Sequence, residues 1–365
     1  MIEQEKLKSI NIDNKLQSKF HLIKPYLYFR PSISAVIIRI LILLSLQVIA
    51  LFFTKSYSAI FVILASVLGA ACAAALDFLL TKKPLFNIMN ILTQGLLLGL
   101  LIPENYPVIT IFFISFFSLF ISQTIFFKSI NNWFNVPAIA VIIAWFIGRN
   151  YFPEFLITSD IISLRNSSVY LIQSGSFPIF DFDSTITNFL NTYVFNIFDI
   201  TVPEGFISLF WDTHSAIPAF RFNFITIISS IILFSDNAFS GIIPWLFLIV
   251  YGLLVRLFSP FIFGGSLNQG DILLAILTSG TLFCVTFLIQ WYGTVPITTA
   301  GKILLGLISG IFAFLIIGCG TSPVGMVFTV LLTNFTNLII RSFEEVNNSL
   351  STASVISKLL SKGDN

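Results

Sequence analysis

Long apolar runs alternate with short polar segments through most of this chain. A run of about 18 or more apolar residues is long enough to cross the hydrocarbon core of a bilayer as a helix. The pattern predicts ten spans, of which the sixth is short, at about residues 33–53, 58–80, 86–103, 107–127, 132–149, 222–235, 241–258, 270–290, 300–318 and 322–341. We therefore expect an all-α polytopic membrane protein with about ten transmembrane helices.

Three polar segments stand outside these runs, and the charges around them predict the orientation. We interpret residues 1–32 as an N-terminal tail, 150–221 as a long loop and 342–365 as a C-terminal tail. Thirteen lysines and arginines fall on the side of both tails, against five on the side of the loop. Because cytoplasmic segments carry the excess of positive charge, we expect cytoplasmic termini and an external loop.

The chain also contains a weak internal repeat. The segment "ILTQGLLLGL" at 91–100 resembles "ILTSGTLFCV" at 276–285, and Pro137 corresponds to Pro323, with offsets of 185 and 186 residues. Five spans separate the matching helices, and an odd number reverses the direction of the chain. We therefore expect residues 33–149 and 222–341 to form two inverted five-helix repeats.

In inverted-repeat membrane proteins, interrupted helices from the two halves meet near the midplane and offer polar groups there. The repeat therefore predicts ion-path candidates in two corresponding triplets: Thr93, Gln94 and Gly95, and Thr278, Ser279 and Gly280. Small and hydroxyl-bearing residues also let membrane helices pack closely. The sequence leaves both roles open.

Asp77 is the most notable acidic residue inside an apolar run. A lone carboxylate within a membrane is costly and usually faces a cavity or a partner, so Asp77 is a further ion-path candidate. It also lies about one helical turn from Lys82 and Lys83, where it would reach the membrane interface. Both interpretations stay open.

The composition narrows the classes of function. The chain is 56% hydrophobic and 10% charged, and its net charge of +2 gives no argument for nucleic acid as a partner. Cys72, Cys284 and Cys319 lie far apart without a Cys/His cluster, so we expect no iron–sulfur or zinc site built by this chain alone. No glycine-rich phosphate loop, nucleophile elbow or HExxH motif is present, and we predict no catalytic residue.

Four stretches, in the same order along the chain, resemble one membrane family. They are "YLYFRPSISAVIIRILILLSLQVIALFF", "NIMNILTQGLLLGLLIPENYPVITIFF", "INNWFNVPAIAVIIAW" and "PVGMVFTVLLTNFTNLIIR". From about residue 25 to 341 the chain thus resembles the D-type subunit (RnfD) of the Rnf ion-translocating electron transport complex. It is similar as well to the homologous B-type subunit (NqrB) of the sodium-translocating NADH:quinone oxidoreductase.

The resemblance implies a ten-helix, inverted-repeat fold similar to urea transporters, and other membrane and peripheral subunits as partners. That family couples electron flow between ferredoxin and NAD, or from NADH to quinone, to the export of Na⁺ or H⁺. Its subunit carries FMN, esterified through the phosphate to the threonine of an outer Ser-Gly-Ala-Thr-Pro motif.

Matched on its proline, this motif falls on "HSAIP" at 214–218. His214 then takes the serine place, Ser215 the glycine place and Ile217 the threonine place. Ile217 has no hydroxyl and cannot form the phosphoester, so covalent FMN is not expected, whereas a flavin held without a covalent bond stays open. Two acids of the family's flavin side are also missing from "WYGTVPITTAGK" and "FSGIIPW". The resemblance is therefore to a divergent member.

The function that follows is a membrane subunit of a redox-driven, ion-translocating complex of the Rnf type, with a degenerate flavin attachment site. Such a subunit would line or support the ion path. The alternatives on the same fold are a passive channel for small solutes and a scaffold for partner subunits, both without electron transfer. Whether the chain is itself redox-active is left open.

Overall fold

A computed structural model describes residues 32–81, 85–122, 135–153, 157, 159–164, 167–199, 201–235, 239–318 and 324–363. Within these ranges every regular element is a helix, and there is no strand. The predicted fold class, an all-α polytopic membrane protein, is confirmed. The predicted N-terminal tail, apart from Ser32, lies outside the described residues.

The helices follow the apolar pattern of the sequence. In chain order they are α1 (Ile33–Phe53), α2 (Tyr57–Thr81), α3 (Leu85–Leu101), α4 (Val108–Ile121), α5 (Val136–Ile147), α6 (Ser159–Ser163), α7 (Ser167–Gln173), α8 (Asp181–Tyr193), α9 (Phe206–Trp211), α10 (Asn223–Ser235), α11 (Ile242–Ile262), α12 (Ile272–Thr278), α13 (Thr281–Ile289), α14 (Thr299–Ile317) and α15 (Gly325–Gly363). Helices α1–α5, α10, α11, the pair α12–α13, α14 and α15 stand at the ten predicted spans.

These helices differ in how far they could reach across a bilayer. Five are long and apolar enough to cross it: α1, α2, α11, α14 and the Gly325–Asn347 part of α15. The pair α12–α13 passes the same test as one span bent by 66°. Helices α4, α5 and α10, with the Ile88–Leu101 part of α3, are shorter apolar helices.

Corresponding helices pair in the two halves of the chain. Helix α2 packs on α4, and α11 packs on α14, each in extensive contact. Glycines bring the backbones close: a Cβ on Gly69 would lie 2.5 Å from the Phe112 carbonyl oxygen, and one on Gly310 3.0 Å from that of Phe247. The repeated pairing agrees with the predicted internal repeat. The likeness to urea transporters stays an expectation.

The two predicted ion-path triplets stand in different backbone settings. Thr93–Gly95 lies inside α3, which runs without a break from Leu85 to Leu101. Gly95 serves close packing on α2: a Cβ there would overlap the side chain of Ala70, and the Ser66 hydroxyl donates to the Gly95 carbonyl at 2.8 Å. In the second half, Gly280, at φ 72°, separates α12 from α13.

The long segment 150–221 is more structured than a loop. Its described parts hold α6–α9 and 3₁₀ turns at Phe195–Phe198 and Pro218–Phe220. We call the membrane side that carries it the loop side. Contacts such as the Glu104 N–H donating to the Ala216 carbonyl at 2.9 Å bring the C-terminal end of α3 to this side. At the other end of the chain, α15 continues beyond residue 341, where a tail was predicted, to Gly363.

Candidate functional site

The segment after α9, Asp212–Arg221, contains the motif-like residues and folds back on itself. The Thr213 N–H donates to the Arg221 carbonyl at 3.1 Å, and the Thr213 hydroxyl donates to the Phe220 carbonyl at 2.8 Å. His214 has a φ of 52°, in the left-handed region that residues other than glycine rarely adopt. Pro218, with its fixed φ, begins the 3₁₀ turn that leads into α10.

A buried ion pair joins the two ends of this segment. The Arg221 guanidinium donates from Nε to Asp212 Oδ1 at 3.0 Å and from Nη2 to Oδ2 at 2.6 Å. Its Nη1 donates to the Ser56 hydroxyl at 2.5 Å. The carboxylate also accepts the His214 N–H at 2.8 Å. Two opposite charges with most of their hydrogen-bonding capacity filled can be held out of water.

A cavity of about 460 Å³ lies beside the segment on the loop side. Its lining comes from the end of α1, the chain after α3, the approach to α8 and the segment itself: Phe53, Thr54, Ser56, Glu104, Phe180, Asp212, His214, Ser215 and Arg221. The His214 ring, with a side chain 41% exposed, lies 5.6 Å from the Phe180 ring. The structure thus brings His214 and Ser215 to one cavity.

Ile217, in contrast, is not part of that lining. Its side chain is 1% exposed and belongs to the main hydrophobic core, while its N–H donates to the Ser215 hydroxyl at 3.2 Å. An aliphatic side chain offers no oxygen to a phosphate. The residue at the attachment position therefore does not fit a phosphoester-linked flavin.

The charges of the cavity also fit a phosphate group poorly. The two carboxylates of Glu104 and Asp212 stand against one guanidinium, that of Arg221. All three nitrogens of this guanidinium already donate to Asp212 or Ser56. Among the described lining residues, a phosphate dianion would therefore meet negative charge that is not compensated.

The predicted ion-path hydroxyls bond to their own helices. The Thr93 hydroxyl donates to the Met89 carbonyl at 2.8 Å, that of Thr278 to the Leu274 carbonyl at 2.6 Å, and that of Ser279 to the Ala275 carbonyl. Such bonds to the preceding turn satisfy a buried hydroxyl without a ligand. These three residues show the behaviour expected of helix packing, and Gln94 is the exception.

The motif segment reaches the break between α12 and α13. Gly280 faces the Phe220 ring so closely that a Cβ on the glycine would overlap it. The Asn223 amide donates to the Leu277 carbonyl at 2.9 Å, at the end of α12 where helical partners are missing. The Phe220 ring therefore fills the space at the break, and the Asn223 amide supplies a hydrogen bond to the last turn of α12.

Beyond the break, a cluster of buried amides joins α3 to the end of α13. The Tyr292 hydroxyl donates to Asn90 Oδ1, which also accepts the Gln94 amide at 3.1 Å. Among the described residues, Asn90 Nδ2 and Gln94 Oε1 have no hydrogen-bond partner. Nearby, the Asn135 amide of the α5 N-cap donates to the Leu288 carbonyl at 3.1 Å.

Three further buried amides lie on α15 and at the end of α13. Gln290 follows the π-helical turn Cys284–Ile289, and α15, which carries Asn334 and Asn337, packs against that turn. The three side chains are at most 2% exposed. Their amide nitrogens and oxygens all lack hydrogen-bond partners in the part of the chain that the structure describes. We call Asn90, Gln94, Gln290, Asn334 and Asn337 the amide cluster.

Sequence reasoning identified only Gln94 among these five residues. The signal for the others was available, because each is a carboxamide inside or at the end of a predicted span. Polar residues in spans mark pathways or helix contacts. What the sequence lacks is the pairing of Asn90 with Tyr292, 202 positions away.

Asp77 is buried, with 2% of its surface exposed, four residues before the end of α2. Lys82 and Lys83, its predicted interfacial neighbours, lie outside the described residues. Both interpretations of Asp77 therefore remain open.

One known protein family matches the chain along most of its length. The chain matches the family described as NQR2, RnfD, RnfE over residues 22–349, which is nearly its whole length. No curated protein matches it. Members of the family are membrane subunits of ion-translocating electron transport complexes. This multi-pass membrane protein belongs to the NQR2, RnfD, RnfE family.

Proposed function

We propose that the chain is the D-type subunit of an Rnf-like complex and forms part of the path by which Na⁺ or H⁺ crosses the membrane. Its partners would be the other membrane and peripheral subunits, in a bacterial inner membrane with both termini cytoplasmic. The observation that carries the proposal is the amide cluster. The family membership supplies the class of complex.

The energetic argument rests on amides that lack hydrogen-bond partners in the described parts of the chain. A buried hydrogen-bonding group without a partner costs about 1–3 kcal/mol. The six nitrogen and oxygen atoms of Gln290, Asn334 and Asn337 would together cost more than a marginally stable protein readily sustains for packing alone. Leucine would fill the same space without that cost. These amides would be useful if water or an ion supplies their missing hydrogen bonds in one state of the transport cycle.

The route consists of three parts. The cavity beside Asp212 and His214 opens on the loop side, and the amide cluster lies toward the opposite ends of α3 and α13. Phe220 and Gly280 stand between them, where α12 and α13 are interrupted. We infer that passage requires Phe220 to move away from Gly280.

Transport in inverted membrane vesicles tests this route. The vesicles carry the whole complex, driven by reduced ferredoxin and NAD or by NADH, and uptake of radioactive sodium and acidification are measured beside electron transfer. Asn334→Leu and Asn337→Leu should lower ion uptake severalfold while the complex still assembles on native gels. Phe335→Leu, on the exposed face of α15 between them, is the control and should transport normally. Normal uptake with both leucine variants would refute the proposal.

We also propose that this chain holds no flavin at the motif-like residues 214–218 on its loop side. The supporting observations are the buried, hydroxyl-free Ile217 and the negative balance of the cavity. The denatured, purified chain should show no flavin fluorescence in a gel under ultraviolet light, and extraction of the native chain should release no stoichiometric FMN. A fluorescent band would mean that another residue carries the flavin.

A passive channel for small neutral solutes is the second candidate. The neutral character of the amide cluster favours it, because carboxamides can replace the hydration of an uncharged polar solute. Proteoliposomes that contain the chain alone would then admit such a solute faster than empty liposomes. Flux at the rate of empty liposomes, with ion uptake only in the whole complex, would exclude this candidate.

A further inference from the structure

Helix α8, in the long segment, has three faces of different character. Asp183 and Thr187 are buried against the protein. A second set of side chains is exposed and polar: Asp181, Thr185, Asn188 and Thr192. A third set is exposed and apolar: Phe182, Ile186, Phe189 and Tyr193. Each exposed set is spaced by four, three and four residues, so each forms one continuous stripe along the helix.

The buried face fixes the rotation of α8. Asp183 accepts the N–H groups of Gly205 and Ser208 at 2.9 and 2.6 Å, and the hydroxyls of Ser208 and Thr187 at 2.6 and 2.9 Å. Four donors on one buried carboxylate leave the helix little freedom to turn. The apolar stripe is therefore held outward and is not a core face that happens to be uncovered.

The apolar stripe is unusually exposed for a segment that water would surround. Phe189 and Tyr193 are 58% and 66% exposed, and the following turn exposes Ile197 and Phe198 at 76% and 67%. Soluble surfaces rarely carry contiguous aromatic and aliphatic side chains of this size without an occupant. The stripe lacks lysine and arginine, so an acidic partner protein has no charge to recognise there.

The stripe continues into the exposed apolar surface of α10. The Phe182 ring lies 6.3 Å from the Trp211 ring, which lies 5.8 Å from the Phe224 ring at the loop-side end of α10. Below Phe224, α10 exposes Ile228 and Ile231. Ring contacts therefore connect the exposed apolar residues of α10 to those of α8, and an aromatic group stands at the junction, where membrane proteins concentrate Trp and Tyr.

We propose that α8 is an interfacial helix whose apolar stripe lies in the lipid leaflet on the loop side. The polar stripe, one residue earlier in the sequence, faces water, as in other amphipathic helices that lie in the plane of a membrane. Phe182 also stacks on Phe180, 5.4 Å away, and Phe180 lines the loop-side cavity. The leaflet thereby supports one wall of the cavity. The inference holds whether or not the chain conducts ions.

Spin labels placed on the two stripes test this directly. Single cysteines replace Ile186 or Phe189 on the apolar stripe, and Thr185 or Asn188 on the polar stripe, in a full-length chain whose own three cysteines are replaced by alanine. The labelled chain is studied in vesicles of phosphatidylethanolamine and phosphatidylglycerol, and again within the whole complex. Collisions with oxygen, which concentrates in lipid, are compared with those of a water-soluble nickel chelate.

The ratio of oxygen to nickel accessibility should be severalfold higher at 186 and 189 than at their neighbours 185 and 188, in both preparations. Equal ratios on the two stripes would mean that α8 stands in water, and would overturn the proposal. Labels at 186 and 189 shielded from both reagents within the complex would mean that a protein covers the stripe, and would overturn it as well.

Discussion

Arg221 and Asp212 hold the two ends of the motif-like segment together through both carboxylate oxygens, at 3.0 and 2.6 Å. The Arg221 and Asp212 side chains are only 8% and 0% exposed. In this pair the Arg221 guanidinium already donates to Asp212, so it is not free to bind a phosphate. One ion pair thus explains both the shape of the segment and its poor fit to FMN.

Replacing one member of this pair should destabilise the protein strongly. In Arg221→Gln the Asp212 carboxylate stays buried without its counter-charge, which costs about 3–5 kcal/mol. Arg221→Gln combined with Asp212→Asn should cost clearly less than the sum of the two single changes. Thermal unfolding of the purified protein in detergent measures the effect. Arg256→Gln, at an exposed arginine, is the control and should cost about 1 kcal/mol or less. A single-variant loss no larger than this control would contradict the prediction.

Amides with and without partners should respond oppositely to leucine. Neither amide atom of Asn337 has a hydrogen-bond partner among the described residues, so Asn337→Leu should raise stability by about 1–3 kcal/mol. Asn135 accepts the Ala138 N–H at 3.1 Å and donates to the Leu288 carbonyl, so Asn135→Leu should lower stability by a similar amount. The same thermal measurement compares them. Destabilisation by both variants would mean that Asn337 is satisfied in the resting protein.

Much of the fold could be predicted from apolar run length, because a helix in lipid must satisfy its own backbone and therefore follows the run. The repeat matches Gly95 to Gly280, but only Gly280 stands at a break between helices. The close contact of Gly95 with Ala70 depends on the partner helix, which the local sequence does not specify. The amide cluster and the stripe on α8 escaped for related reasons. One depends on long-range pairing, and the other lies in a segment too polar overall to read as a membrane element.

Acid should loosen the long segment through Asp183. Burial alone would raise the pKa of this carboxyl, but the hydrogen bonds from Ser208, Gly205 and Thr187 outweigh burial and hold the pKa below its ordinary value of 3.8. A lowered pKa in the folded state contributes stability that is fully present above the ordinary value and is lost as pH falls through the lowered one.

Fluorescence of Trp211, with the other four tryptophans replaced by phenylalanine, should therefore report loosening of α8 and α9 only below about pH 4. Asp183→Asn should abolish this acid response and lower local stability at neutral pH. Asp181→Asn, at an exposed carboxyl on the same turn, should leave the response intact. An unchanged response in Asp183→Asn would assign it to another group.

Restoring the family's residue at position 217 should not restore the flavin. Ile217→Thr introduces a hydroxyl into the hydrophobic core, which costs about 1–3 kcal/mol without a hydrogen-bond partner. The hydroxyl would stand away from the cavity, because Ile217 does not line it. Two other motif positions also differ, since His214 and Ser215 stand where the family has serine and glycine. In-gel fluorescence should stay dark in cells that flavinylate a relative with the intact motif. A bright band would mean that a hydroxyl at this one position is enough for attachment.

Gly280→Ala should be far more harmful than Gly175→Ala, although the two glycines have nearly the same backbone conformation. Their φ angles are 72° and 75°, so alanine brings a similar left-handed cost of about 1–2 kcal/mol at both positions. Around Gly175 no atom lies within 4 Å of an added Cβ, whereas at Gly280 the Cβ would overlap the Phe220 ring. The difference between the two variants in thermal unfolding therefore measures the contact between the motif segment and the break in α12–α13.

In a chain that already carries Phe220→Ala, the further change Gly280→Ala should cost much less stability than it does in the parent chain, because the overlapping ring is gone. Equal losses in the two glycine variants would mean that Phe220 does not rest on Gly280, and that the path is not closed there.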